Sequence, residues 1–106
     1  MAPLSIAPDT THNDVVHFNI NIKSDQLPNM QNISDYEVAA ESKMRPVRNW
    51  LASFTTSMYV VYDMISCTAS KVQYDSIMSH FENMTMPNQV RDLIHSIELA
   101  NPVIYL

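Results

Sequence analysis

Apolar and polar residues alternate over positions 15–23. Val16, Phe18, Ile20 and Ile22 fall on one side, and Val15, His17, Asn19, Asn21 and Lys23 on the other. A period of two sustained this long predicts a β-strand. Further along, the period changes. Ser34-Asp35-Tyr36-Glu37 has the S-x-x-E form of a capping box and predicts the start of a helix, helix A. Its acidic residues (Asp35, Glu37, Glu41) precede its basic ones (Lys43, Arg45), the order that suits the helix dipole. Pro46 either ends helix A or opens helix B at its first position. In helix B, Val47, Trp50, Leu51, Phe54, Met58, Val61 and Ile65 recur at helical intervals and form one long stripe. The competing reading is a strand over 58–65, because Tyr59-Val60-Val61-Tyr62 is β-prone. The stripe runs through both halves and favours the helix. Ser70-Lys71-Val72-Gln73 is a second capping box and opens helix C, with Tyr74, Ile77, Met78, Phe81 and Met84 on one face. Helix D follows Pro87, with Val90, Leu93, Ile94 and Ile97 as its stripe, and stops at Asn101-Pro102. Residues 1–14 read as an extended arm, 24–33 as a loop turning at Pro28-Asn29, and 103–106 as a short terminal strand.

These elements predict a mainly α fold. It is a bundle of about four helices with an N-terminal extended arm and β-strand, α+β at the margin if the C-terminal strand pairs with it. Residues 1–33 form the arm and strand, and residues 34–106 the helical part, of a single folded unit. A strand standing alone leaves backbone N–H and C=O groups without partners. Residues 103–106 cover only half of it, so a second copy of the chain is the natural source of the rest.

Composition narrows the function. The 106 residues include no glycine, where average usage of about 7% would supply about seven. Phosphate-cradling loops, dinucleotide-binding turns and the G-x-S-x-G nucleophile elbow all need glycine for positive φ or close backbone approach. Their standard forms are excluded. The formal net charge of −5 disfavours nucleic acid as a partner. Residues 1–8 have no basic n-region, and 49–70 carry too many Ser and Thr to span a bilayer. A soluble, cytoplasmic protein with no membrane partner is the expectation. A short glycine-free chain also suits the genome economy of a virus-encoded capsid or accessory protein.

Each residue type with chemistry to offer has a plainer role beside it. His12, His17, His80 and His95 show no metal-ligand spacing. Cys67, the single cysteine, reads as a small apolar residue on a poorly charged face of helix B rather than as a nucleophile. Glu37 and Glu41 are i,i+4 neighbours that read as a solvated face, with Arg45 in reach of Glu41. Asp63 is the only charge between positions 49 and 70, and a tyrosine hydroxyl is its expected partner. Lys43, Arg45 and Arg48 form the only basic cluster, a candidate patch for an anion or an acidic partner; the plainer role is to compensate a helix C-terminus. Asn32-Ile33-Ser34 and Asn83-Met84-Thr85 match the glycosylation sequon and are set aside in a chain without a leader. The eight methionines, among them Met58, Met64, Met78, Met84 and Met86, either fill the core or line an adaptable groove.

No catalytic residue, cofactor, metal or small-molecule substrate is indicated. The expectation is a non-enzymatic structural or interaction subunit, a homo-oligomer that self-associates through Val16, Phe18, Ile20 and Ile22. The alternative is an adaptor or inhibitor that binds a host or cellular protein through a Met-rich helical surface.

Overall fold

A computed structural model describes residues 14–23, 27, 32–100 and 102–105. The elements, in chain order, are β1 (Val15–Ile22), α1 (Ile33–Ala52), β2 (Ser57–Val61), β3 (Met64–Ser70), α2 (Lys71–Asn83), α3 (Asn88–Arg91), β4 (Ile97–Leu99) and β5 (Val103–Tyr105). The strands lie in the order β2-β3-β1-β4, and every neighbouring pair is antiparallel. This is the split βαβ, or ferredoxin-like, connection pattern. The mainly α bundle is therefore corrected to an α+β fold, with two long helices and one short one beside an antiparallel sheet.

The second half of helix B accounts for most of the correction. The stripe Val47, Trp50, Leu51 and Phe54 is helical or just past the helix end, but the helix stops at Ala52 and the chain returns as the β2–β3 hairpin. In β3, Ile65, Cys67 and Ala69 are buried and alternate with Met64, Ser66 and Thr68. That period of two, with the β-branched Val60, Val61 and Ile65, outweighs the coincidental helical spacing of Met58, Val61 and Ile65. The turn between the strands is Tyr62-Asp63, without the Gly or Asn that ordinarily announces a hairpin.

Helices A and B also meet differently. α1 runs through Pro46 without a break, and its N-cap is Asn32, whose side chain accepts from the Ser34 N–H at 2.9 Å. Ala40, Met44, Val47 and Leu51 are fully buried on one face, spanning the proline on both sides. Tertiary packing of that face holds together a helix that Pro46 alone would interrupt. Helix C forms as predicted as α2, with the Ser70 hydroxyl accepting from the Gln73 N–H at 3.1 Å. Helix D shrinks to the single turn α3. Beyond it, i→i−3 bonds such as Ser96 N–H to Leu93 C=O (2.8 Å) coil the chain more tightly until Ile97 enters the sheet.

β1 sits inside the sheet, not alone. Its register with β3 runs from Val15↔Ser70 to Asn21↔Met64. On its other side, Ile22↔Ile97 to Ile20↔Leu99 pair with β4, and His17↔Val103 and Val15↔Tyr105 pair with β5. The register shifts by one residue between β4 and β5, the mark of a β-bulge along this edge, and Pro102, just ahead of β5, has no N–H to contribute. Val16, Phe18, Ile20 and Ile22 are buried in one cluster with Met44, Leu51, Ile65, Ile77 and Val90. The expectation that these four β1 residues offer a self-association surface fails, because they are the core.

Without glycine, the positive-φ positions among the described residues fall to Thr55 (φ 59°), Tyr62 (φ 50°) and Met84 (φ 56°). Thr55 is exposed and β-branched, so it holds a left-handed conformation with no packing in return. Thr55→Gly is expected to raise stability by about 1 kcal/mol. A chemical-denaturation midpoint that stays put or falls would contradict the strain.

Candidate interaction surface

The helices cover one face of the sheet, and among the described residues no element covers the other. Alternation along the strands places Asn19, Asn21, Ser66 and Thr68 at the centre of the open face, and Tyr59 at its β2 margin. These central groups are polar but carry no formal charge. His17 and Thr68 face each other across β1 and β3, with Nδ1 and Oγ1 3.0 Å apart. Tyr59 is 70% exposed.

The sheet's two edges are built differently. The β4–β5 edge is broken by its bulge, carries Pro102 and presents the exposed Glu98. Bulge, proline and charge are the devices by which natural sheets discourage a further strand. β2 has none of them. Its sequence, SMYVV, is uncharged and proline-free, and among the described residues nothing pairs with its outer side. The amide directions follow from the register. Ile22 N–H donates to Asp63 C=O at 2.8 Å, so the odd-numbered residues of β3 turn their backbone groups to β1 and the even-numbered ones to β2. Ser57, Tyr59 and Val61, opposite Thr68, Ser66 and Met64, therefore bond inward. The N–H and C=O groups of Met58 and Val60 point outward.

The hairpin turn is tied to the start of α1 by two tyrosine–carboxylate contacts. Tyr36 Oη donates to Asp63 Oδ2 at 2.9 Å, the kind of partner the isolated Asp63 requires. Beside it the Tyr62 ring meets the Tyr36 ring edge-on at 6.4 Å, with the Glu37 carboxylate near its hydroxyl. Both phenols are held above the ordinary 10.0. In Tyr36 the bond to Asp63 is the main cause, followed by burial and the Asp63 charge; in Tyr62 it is the bond to Glu37, then the Glu37 charge, then burial. A raised folded-state value favours the protonated form, so this contribution is complete below pH 10 and fades as pH climbs through the folded-state values. The tyrosinate absorbance that disappears in Tyr36→Phe is expected to titrate above 10 in the folded protein. Titration at or below 10 would mean that the Asp63 contact is not made in solution.

The other sequence candidates disperse. Cys67 lies on the buried face of β3, not on a helix. Its Sγ is 3.8 Å from Ile65 O, and burial pushes the thiol up to about 12, so it stays protonated and unreactive at neutral pH. Glu41 accepts Arg48 Nη1 at 2.8 Å and lies 3.8 Å from Arg45 Nε. Lys43 is about 140–160° round the helix from both arginines at 100° per residue, so Lys43, Arg45 and Arg48 do not converge on one anion. Because α1 continues to Ala52, they do not sit at its C-terminus either. His80 Nδ1 bonds the Thr85 backbone and hydroxyl, and its ring packs near Trp50 and Phe54. His95 is exposed, and His12 and the arm over residues 1–13 lie outside the described residues, as does the turn at Pro28-Asn29. Among the described residues no three His, Cys, Asp or Glu side chains gather as a metal site. Met58 and Met64 fall on opposite faces of the sheet and Met86 is buried, so the methionines do not form one groove. Sequence reasoning missed the β2 edge, whose one signal was the β-prone run Tyr59-Val60-Val61-Tyr62.

No helix among the described residues is long and apolar enough to cross a membrane. Comparison with protein-family models, with curated proteins and with solved structures returned no match. The expectation of an α-helical, virus-encoded protein is corrected: the fold has a sheet at its centre, and no comparison ties the chain to a viral source.

Proposed function

We propose that the protein is a non-enzymatic interaction subunit that associates with further copies of itself through its sheet. The observation that carries this reading is the β2 edge, unpaired among the described residues, beside a sheet face that no described element covers and whose centre has no formal charge. A chain of net charge −5 repels its copies at most approaches, and an uncharged contact avoids that repulsion. The groups that would carry enzymatic chemistry are engaged in the fold: the Cys67 thiol is buried, Asp63 holds Tyr36, and Glu41 is shared by Arg45 and Arg48.

Single-stranded RNA is the other common occupant of an open sheet face in this topology, where aromatic side chains on the central strands stack on bases. Here the same face of β1 and β3 offers no Phe, Tyr or Trp and only His17 among Asn19, Asn21, Ser66 and Thr68, which favours a protein partner. Light scattering on the full chain over a range of concentrations tests the proposal. A mass that rises to a whole multiple of the monomer is expected. A monomer at every concentration up to about 100 µM, a range where specific subunit contacts are populated, would refute it.

A further inference from the structure

We infer that the self-contact is an antiparallel pairing of β2 with β2 of a second copy, centred on Tyr59, which joins the two sheets into one. This rests on the self-association reading and specifies its geometry. The outward groups of β2 belong to Met58 and Val60, two residues apart with Tyr59 between them. A two-fold axis at Tyr59 sets Met58 opposite Val60 of the second copy and Val60 opposite its Met58. Each such pair exchanges both N–H···O=C bonds, and the two Tyr59 residues meet as a non-hydrogen-bonded pair. This is the register that uses every outward group of the strand.

Three further observations favour a second copy on this edge. The strand holds no charge, so no like charges oppose when it meets itself. The Asp63 carboxylate, the nearest charge along the chain, is held by Tyr36 and would lie opposite Thr55 of the second copy. The side chains of Met58 and Val60 are only partly covered on the helical side of the sheet, and a strand laid alongside would cover them further. An aromatic pair at the centre, flanked by partly buried apolar residues, is a favourable cross-strand arrangement. The other edge, with its bulge, Pro102 and Glu98, lacks these properties.

Val60→Pro tests the pairing directly. It removes an outward N–H and leaves the β2–β3 hydrogen bonds intact, because Val60 does not bond inward. Light scattering is expected to show the dimer weakened at least tenfold, with an unchanged far-UV circular dichroism spectrum. Should Val60→Pro fold poorly, Tyr59→Lys serves instead: it keeps the backbone, sits on an exposed side chain, and places two lysines together at the axis. Tyr59→Cys is expected to cross-link two chains under mild oxidation, since the native Cys67 is buried. A dimer that survives both Val60→Pro and Tyr59→Lys, or that does not cross-link through Tyr59→Cys, overturns the inference while the self-association reading stands. A dimer lost on deletion of residues 1–13 also overturns it and assigns the contact to the arm. A wild-type monomer removes the self-association reading itself.

Discussion

Phe18→Ala is expected to lower the unfolding free energy by about 3–5 kcal/mol, the usual result of emptying a buried aromatic site. Phe18 is 3% exposed, its ring meets Tyr74 edge-on at 5.1 Å, and its backbone lies opposite Cys67 in the β1–β3 register. Domains of this size hold about 5–15 kcal/mol in total, so the variant is expected to unfold early in urea and, in its folded fraction, to keep its β2 edge. The same substitution separates two roles for β1. If β1 met a partner through Val16, Phe18, Ile20 and Ile22, truncating Phe18 would weaken association and spare the monomer. If β1 is the centre of the core, truncation weakens the monomer and leaves the assembly state of the folded fraction unchanged. Urea unfolding followed by tyrosine and tryptophan fluorescence, with light scattering in parallel, reads both. Unchanged stability together with lost association would place β1 at an interface after all.

The reason β1 looked like a strand in search of a second molecule lies elsewhere in the chain. Its own alternation is plain from the sequence and the strand forms as read. Its principal partner was hidden. Met64–Ser70 carries a clear period of two, but Ala69 and Cys67 are small, Ser and Thr supply the polar positions, and helical spacing of Met58, Val61 and Ile65 overlays the pattern. Reading that segment as helix deleted β3, and with it the groups that pair with β1. The hairpin gave no warning either, because Tyr62 takes the positive-φ place that glycine or asparagine would have marked. Local signals with a fixed chemistry were more legible. The Ser70 cap is where it was read, and the need of Asp63 for a hydroxyl is met by Tyr36. The candidate surface was not legible in principle from pattern alone. Whether a strand lies at the edge or the centre of a sheet is decided by topology, and β1, with the stronger alternation, is central while the short β2 is at the edge.

Pro46→Ala is expected to stabilise the protein by about 1–2 kcal/mol. In a helix interior proline is about 3 kcal/mol worse than alanine, since it removes an N–H and presses its ring on the preceding turn. Part of that gain is offset. Proline restricts the unfolded chain, which favours folding by about 0.4–1 kcal/mol, and the half-buried ring gives up some apolar contact, at about 0.8 kcal/mol per fully buried methylene. The remainder is still favourable, because the buried face of α1 (Ala40, Met44, Val47 and Leu51) does not include position 46 and keeps its packing. For a domain near 100 residues, a gain of this size moves the melting temperature up by about 5–10 °C. Calorimetry on Pro46→Ala checks it; the alanine N–H at position 46 restores the helical donor that the carbonyl of residue 42 lacks beside a proline. A lower melting temperature would show that the ring at position 46 sets the path of α1 over the sheet, and that the helix depends on its proline instead of tolerating it.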